Sequence, residues 1–312
     1  MDLIINALGP VFAMILLGGI AEKTNILPTQ TADALNKFVY YFTMPILLFG
    51  SLAEAELSDI LRYDFIAANF IAYFSVFAFV FFYSYKILRH HIIEADMRAL
   101  SAAFPNTSFA GIPVLLGLMS GDARAIIASA SATFITTLLF GASIAIAEIG
   151  NSGKASLQTI KKVVFSVIFN PIICGSILGV IFAAANIELH QSISSFWHTF
   201  GMASVPCSLF AVGQVIARTP FTATWCELST MTTIKLILQP VLAFCLLYLF
   251  GVRGDWLFMG VILAAMPSAV ITYLVADIYT HYPNRAASNI LVTTALSALT
   301  IAALTMMKPW FY

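Results

Sequence analysis

The 312-residue sequence predicts an all-α integral membrane protein of ten transmembrane helices. They form two inverted five-helix repeats, with helices 4 and 9 broken and crossing. Three observations predict it. The chain is 60% hydrophobic and 10% charged, where a soluble domain is nearer 25% charged. Ten apolar runs, each about as long as a bilayer is thick, follow one another. The two halves match at a nearly constant offset.

The runs fall at 3–21, 34–53, 65–87, 98–119, 124–148, 162–185, 193–217, 228–250, 256–278 and 286–307. They are apolar all round and far longer than strands, so a barrel of short alternating segments does not account for them. The longest polar connection contains Gly150-Asn151-Ser152-Gly153-Lys154. It divides a first repeat, 1–149, from a second, 162–312, with 150–161 as a cytoplasmic connector.

Fifteen basic residues balance fifteen acidic ones, which gives no reason to expect nucleic acid binding. Their distribution is uneven. Lys23, Lys37, Lys86, Arg89, Arg98, Lys154, Lys161, Lys162, Arg218 and Arg285 follow odd-numbered helices or adjoin those connections. Arg62, Arg124, Arg253 and Lys308 lie on the other side. The positive-inside rule then puts the odd connections in the cytoplasm and both termini outside, in a multi-pass inner (cytoplasmic) membrane protein. Met1-Asp2-Leu3-Ile4 lacks the basic start of a cleaved signal, so the first run reads as a retained helix. Cys174, Cys207, Cys226 and Cys245 form no CxxC pair and read as apolar filler.

Five ordered matches define the repeat. Pro10 pairs with Pro171, Gly18 with Gly179, Pro45–Phe49 with Pro206–Phe210 and Arg124 with Arg285, all 161 apart. Ala102–Pro105 pairs with Ala264–Pro267 at 162. Five helices per half is an odd number, so the second half enters the membrane inverted, a plan of secondary transporters.

Helix 4 carries Pro105-Asn106-Thr107-Ser108 and helix 9 carries Pro267-Ser268 at the matching place. A mid-helix proline removes a backbone bond, and at membrane depth the freed groups need protein or water as partners. Each break also makes a new helix N-terminus with partial positive charge. Two such ends meeting favour an anion. The expected substrate site is Pro105, Asn106, Thr107, Pro267 and Ser268. There the Asn106 amide and the N–H groups after both prolines hold a small carboxylate. Pro45 and Pro206, among apolar neighbours, read as kinks. Ser129 and Thr133 on helix 5 and Ser297 on helix 10 pack helices closely or line the cavity. No Asp or Glu sits at the centre of a span, which counts against a carboxylate proton relay. Lys235, inside helix 8, reads either as an internal countercharge or as a side chain snorkelling to the interface.

Leu100–Gly121, containing AFPNTSFAGIP, and Ala264–Tyr279, AAMPSAVITYLVADIY, resemble the matching segments of the auxin efflux carrier family. That family includes bacterial members and the plant PIN auxin exporters. Leu8–Gly19, Lys37–Ser51 and Asn170–Gly179 resemble it too, so the likeness runs along the whole chain. It implies a scaffold of helices 1, 2, 6 and 7 that also forms a homodimer. It implies a transport domain of helices 3–5 and 8–10 moving like an elevator, with Asn106 on the substrate carboxylate. The plant segment on helix 3 has Asp, then Lys four residues on. Here those positions are Asn69 and Tyr73, so the supporting charged pair is missing. That and the short central loop favour the bacterial type, associated with malonate, malate or similar acids.

The expected function is a secondary transporter of a small organic carboxylate, working in a lipid bilayer without a cofactor or metal. The alternative is a Na⁺- or H⁺-coupled symporter or antiporter of the same crossed-helix plan. No HExxH, Walker loop or Ser/His pair suggests an enzyme.

Overall fold

The computed structural model describes residues 2–28, 30–152, 161, 165, 168–218 and 224–311, with the side chains of 2–8 and 152 left aside. Among the described residues the chain is helical, and its only β-pairing is one isolated bridge. Among the described residues five helices are long and apolar enough to cross a membrane: Leu57–Ile87, Arg124–Asn151, Gln191–Arg218, Trp225–Leu249 and Pro283–Met306. Thr107–Leu118, Pro171–Ala184 and Gly254–Ala264 are apolar but shorter. Most of the 150–161 connector lies outside the described residues.

Several helices widen to π geometry, and the sequence shows why in three cases. Val39–Thr43, Thr107–Gly111 and Ile234–Leu238 each end two residues before a proline, namely Pro45, Pro113 and Pro240. A proline cannot donate to the carbonyl four residues back, and its ring pushes that carbonyl aside. Here those carbonyls belong to Tyr41, Phe109 and Leu236. Each lies at the middle of its π segment, where the widened turn gives it room.

The chain divides into two compact units. The first comprises Met1–Arg62, Ser108–Ser131 and Phe169–Arg218. In it Asp2–Lys23 packs along Ser204–Arg218, and Pro171–Ala184 along Met44–Ala53. Glycines permit both approaches. A Cβ on Gly18 would strike the backbone of Phe210, and one on Gly179 would strike the backbone of Phe49. Gly18 and Gly179 are 161 residues apart in the sequence, and so are Phe49 and Phe210. Glu54 accepts from Ser194 Oγ at 2.7 Å and Trp197 Nε1 at 3.0 Å, fastening Gln191–Met202 to the end of Met44–Ala53.

The second unit comprises Tyr63–Thr107, Ala132–Ile168 and Thr219–Tyr312. Tyr63–Phe82 packs against Ile92–Ala103, Gln239–Leu249 and Gly254–Ala264, and Ile271–Ile278 against Pro283–Met306. One end is tied by charge. Arg98 reaches Glu227 at 2.8 Å and Glu94 at 3.3 Å, and Arg285 joins Glu227 at 3.4 Å. In both units large apolar side chains face outward, among them Leu16, Ile20, Ile181, Phe79, Leu249 and Leu299. In water such a surface is a liability; against lipid it has no cost.

Candidate functional site

The Ile92–Ala103 helix stops because a proline follows. Phe104, the residue before Pro105, takes φ −95° and ψ 98°, the extended form that precedes proline. The Gly254–Ala264 helix stops likewise three residues before Pro267. The two breaks meet as a short antiparallel bridge between Pro105 and Ser268. Asn106 N–H donates to the Pro267 carbonyl at 2.9 Å, and Ala269 N–H to the Phe104 carbonyl at 3.2 Å. The chain resumes as Thr107–Gly111, then Ile112–Leu118, on one side and as Ile271–Ile278 on the other.

This pairing corrects part of the expected site. The N–H groups directly after the prolines are engaged within the protein: Asn106 N–H on Pro267, and Ser268 N–H on Thr293 Oγ1 at 3.2 Å. The reason is local. Two extended segments buried side by side satisfy each other's backbone groups first. Asn106 as a whole is buried, at 6% exposure.

Each break is also tied to the helix that follows it. Thr107 and Thr133 share a hydroxyl hydrogen bond at 3.0 Å, and Ser268 N–H donates to Thr293 Oγ1. Thr133 is thus a neighbour of the crossing. Ser129 and Ser297 donate to carbonyls of their own helices, Ala125 at 2.8 Å and Thr294 at 2.8 Å. Asn69 does the same on Phe65 at 3.0 Å, and both it and Tyr73 are fully buried in the Tyr63–Phe82 helix.

Lys235 does not snorkel. It is fully buried, and its Nζ donates to Gln239 Oε1 at 2.7 Å and to the Ala264 carbonyl at 2.9 Å. Gln239 Nε2 donates in turn to the Ala103 carbonyl at 2.9 Å. Ala103 and Ala264 are the last residues of the two interrupted helices, so this pair holds both carbonyl ends.

Three further residues escaped the sequence reading. Gln239 was legible as an amide four residues after Lys235. Asn289, fully buried, donates to Ser101 O at 3.1 Å, Ser101 Oγ at 2.8 Å and Ser268 Oγ at 3.2 Å. Ser268 Oγ itself donates to Ser101 O at 2.7 Å. Asp96 is fully buried near the start of Ile92–Ala103 and accepts from Ser143 Oγ at 2.9 Å. Among the described residues no group of His, Cys, Asp and Glu could hold a metal ion.

A chain helical throughout its described residues, with several apolar helices of membrane length, two of its helices interrupted and paired at a buried polar point, is a multi-pass membrane protein. The chain belongs to the membrane transport protein family, whose model matches residues 3–305. This is a family of transporters and not of enzymes. The chain is 28% identical over 297 residues to a protein of Rhizobium meliloti named "Putative malonate transporter", covering 95% of this chain and 92% of that one. It is 28% identical over 305 residues to an uncharacterized transporter of Methanocaldococcus jannaschii, covering 94% of each. It is 22% identical over 293 residues to the uncharacterized transporter YfdV of Escherichia coli K12, covering 93% and 92%.

Proposed function

We propose that this protein is a secondary transporter that carries a small organic carboxylate across the cytoplasmic membrane. The anion is held where the two interrupted helices cross. One observation carries the reading: the antiparallel pairing of Pro105 with Ser268 brings the breaks of both halves to one buried polar point. The Asn106 amide stands at that point, and the following Thr107–Gly111 and Ile271–Ile278 helices begin beside it. Helix beginnings carry partial positive charge, which favours an anion without a fixed cation in contact with it. The relative named for malonate supports a dicarboxylate of that size.

Ten helices in two inverted repeats, 1–149 and 162–312, with both termini outside, remain our reading of the layout. Support comes from the exchanged contacts of Gly18 on Phe210 and Gly179 on Phe49. Further support is the division into two units that each draw on both halves, as an elevator mechanism requires. A homodimer through the first unit belongs to the same reading.

The test is Asn106→Ala. Loss of one hydrogen bond to a charged ligand costs about 1.5–3 kcal/mol, roughly 10- to 150-fold in affinity. Malonate and malate binding to purified protein should weaken by that much in a variant that stays folded, as its cooperative melting shows. Equal binding by wild type and variant removes the crossing as the anion site.

A further inference from the structure

Lys235 has no acid beside it. Its amine is fully buried and donates to two neutral oxygens, Gln239 Oε1 and the Ala264 carbonyl. Among the described residues Trp225–Thr233, Gln239–Leu249, Pro283–Met306 and Ile92–Ala103 pack on its own turn, Ile234–Leu238. Their ionisable groups are Cys226, Glu227, Cys245, Tyr248, Arg285, Glu94, Asp96 and Arg98. Glu227, Glu94, Arg98 and Arg285 pair with one another, and Asp96 turns to Ser143. On the helix that supplies Ala264, Asp255 faces Lys308 at 3.9 Å. Among the described residues none of them pairs with Lys235.

Two acceptors suit both states of the amine. A neutral amine has two N–H bonds to give, and an ammonium has three. The ammonium gains from the two carbonyl ends it helps to hold, since each carries partial negative charge. That gain is fractional, and a buried ammonium without a full counter-charge is costly. A carboxylate bound at the same crossing supplies the missing charge, because Ala264 lies three residues before Pro267.

We infer that Lys235 takes up one proton from water as the anion binds and returns it as the anion leaves, so that anion and proton travel together. The amine nitrogen gains the proton and becomes the ammonium, a buffer acid in the surrounding water loses it, and no other bond changes. The inference rests on the anion site proposed above and adds its coupling. Lys235 acts as a positioning and charge-balancing residue behind the crossing. A proton gradient then drives the cycle without a carboxylate relay.

The experiment is titration calorimetry of the purified full-length protein with malonate at pH 8, in phosphate and again in Tris. These buffers differ in ionisation heat, so the difference counts protons. Wild type should take up about one proton per malonate in this proton-count assay. Lys235→Arg should bind malonate with no uptake assignable to residue 235, because a guanidinium is always charged. Lys235→Met should bind at least about tenfold more weakly, having lost a charged partner. Binding by wild type without proton uptake overturns the inference and leaves the anion site standing. Equal uptake by Lys235→Arg overturns it too, since the proton then goes to the ligand or another group. Absence of binding by malonate, malate and acetate in wild type overturns the anion site, and this inference with it.

Discussion

Replacing Gln239 by leucine removes one acceptor and one donor from the crossing at little change in volume. The Lys235 amine loses its 2.7 Å contact, and the Ala103 carbonyl loses its 2.9 Å donor. A side-chain hydrogen bond inside a membrane bundle is worth about 0.6–2 kcal/mol. The Lys235 contact, made by a neutral amine before any anion binds, is worth about as much. Together the loss is about 1–4 kcal/mol, or roughly 2–8 °C at about 2 °C per kcal/mol for a chain this long. Intrinsic-fluorescence melting of the detergent-purified variant reads it directly. Gln239→Glu separates the two contacts. It keeps an acceptor for Lys235, now with a permanent negative charge, and cannot donate to Ala103. It should melt above the leucine variant yet bind malonate more weakly than wild type, because the amine already has its counter-charge. An unchanged melting temperature and unchanged malonate affinity for Gln239→Leu would refute the view that this pair holds the crossing.

Gly179→Leu should prevent Pro171–Ala184 from seating on Met44–Ala53, and Gly18→Leu should do the same between Asp2–Lys23 and Ser204–Arg218. Overpacking of this kind costs about 1–3 kcal/mol or more, seen as a lower melting temperature of similar size in both variants; a drop in only one would argue against equivalent contacts. Asp122 lies in the turn between Leu118 and Arg124, where the Arg124 side chain donates to it at 2.6 and 2.9 Å. That hydrogen bonding holds its carboxyl below the usual carboxylate range. A depressed value means the contribution is present above the unfolded pKa of about 4 and fades as pH falls through the folded one. Acid titration of the melting temperature should therefore drop less steeply below pH 4 in Asp122→Asn than in wild type, and parallel curves would remove this pair from the account.

Much of this was legible because the membrane simplifies the code. A lipid solvent demands long apolar runs, so composition alone separates this chain from soluble proteins. Proline acts locally, so Pro105 and Pro267 mark the breaks without knowledge of what lies across from them. The same local chemistry would have flagged the π turns before Pro45, Pro113 and Pro240, had the displaced carbonyls been followed. Lys235 was visible as a charge within an apolar run, but its meaning was open, since snorkelling and internal pairing share one sequence pattern.

What the sequence determined by itself was the class, the family resemblance and the place where each half interrupts its helix. Those follow from periodicity, apolar length and backbone sterics, which act within a few residues. The tertiary structure decided which polar groups remain for a ligand. The Asn106 N–H is taken by Pro267, the Ser268 hydroxyl by Ser101, and the Ala103 and Ala264 carbonyls by Gln239 and Lys235. Each of these bonds spans between 29 and 167 residues of sequence. A hydrogen bond depends on distance in space, and no local pattern in the chain encodes which distant carbonyl will arrive.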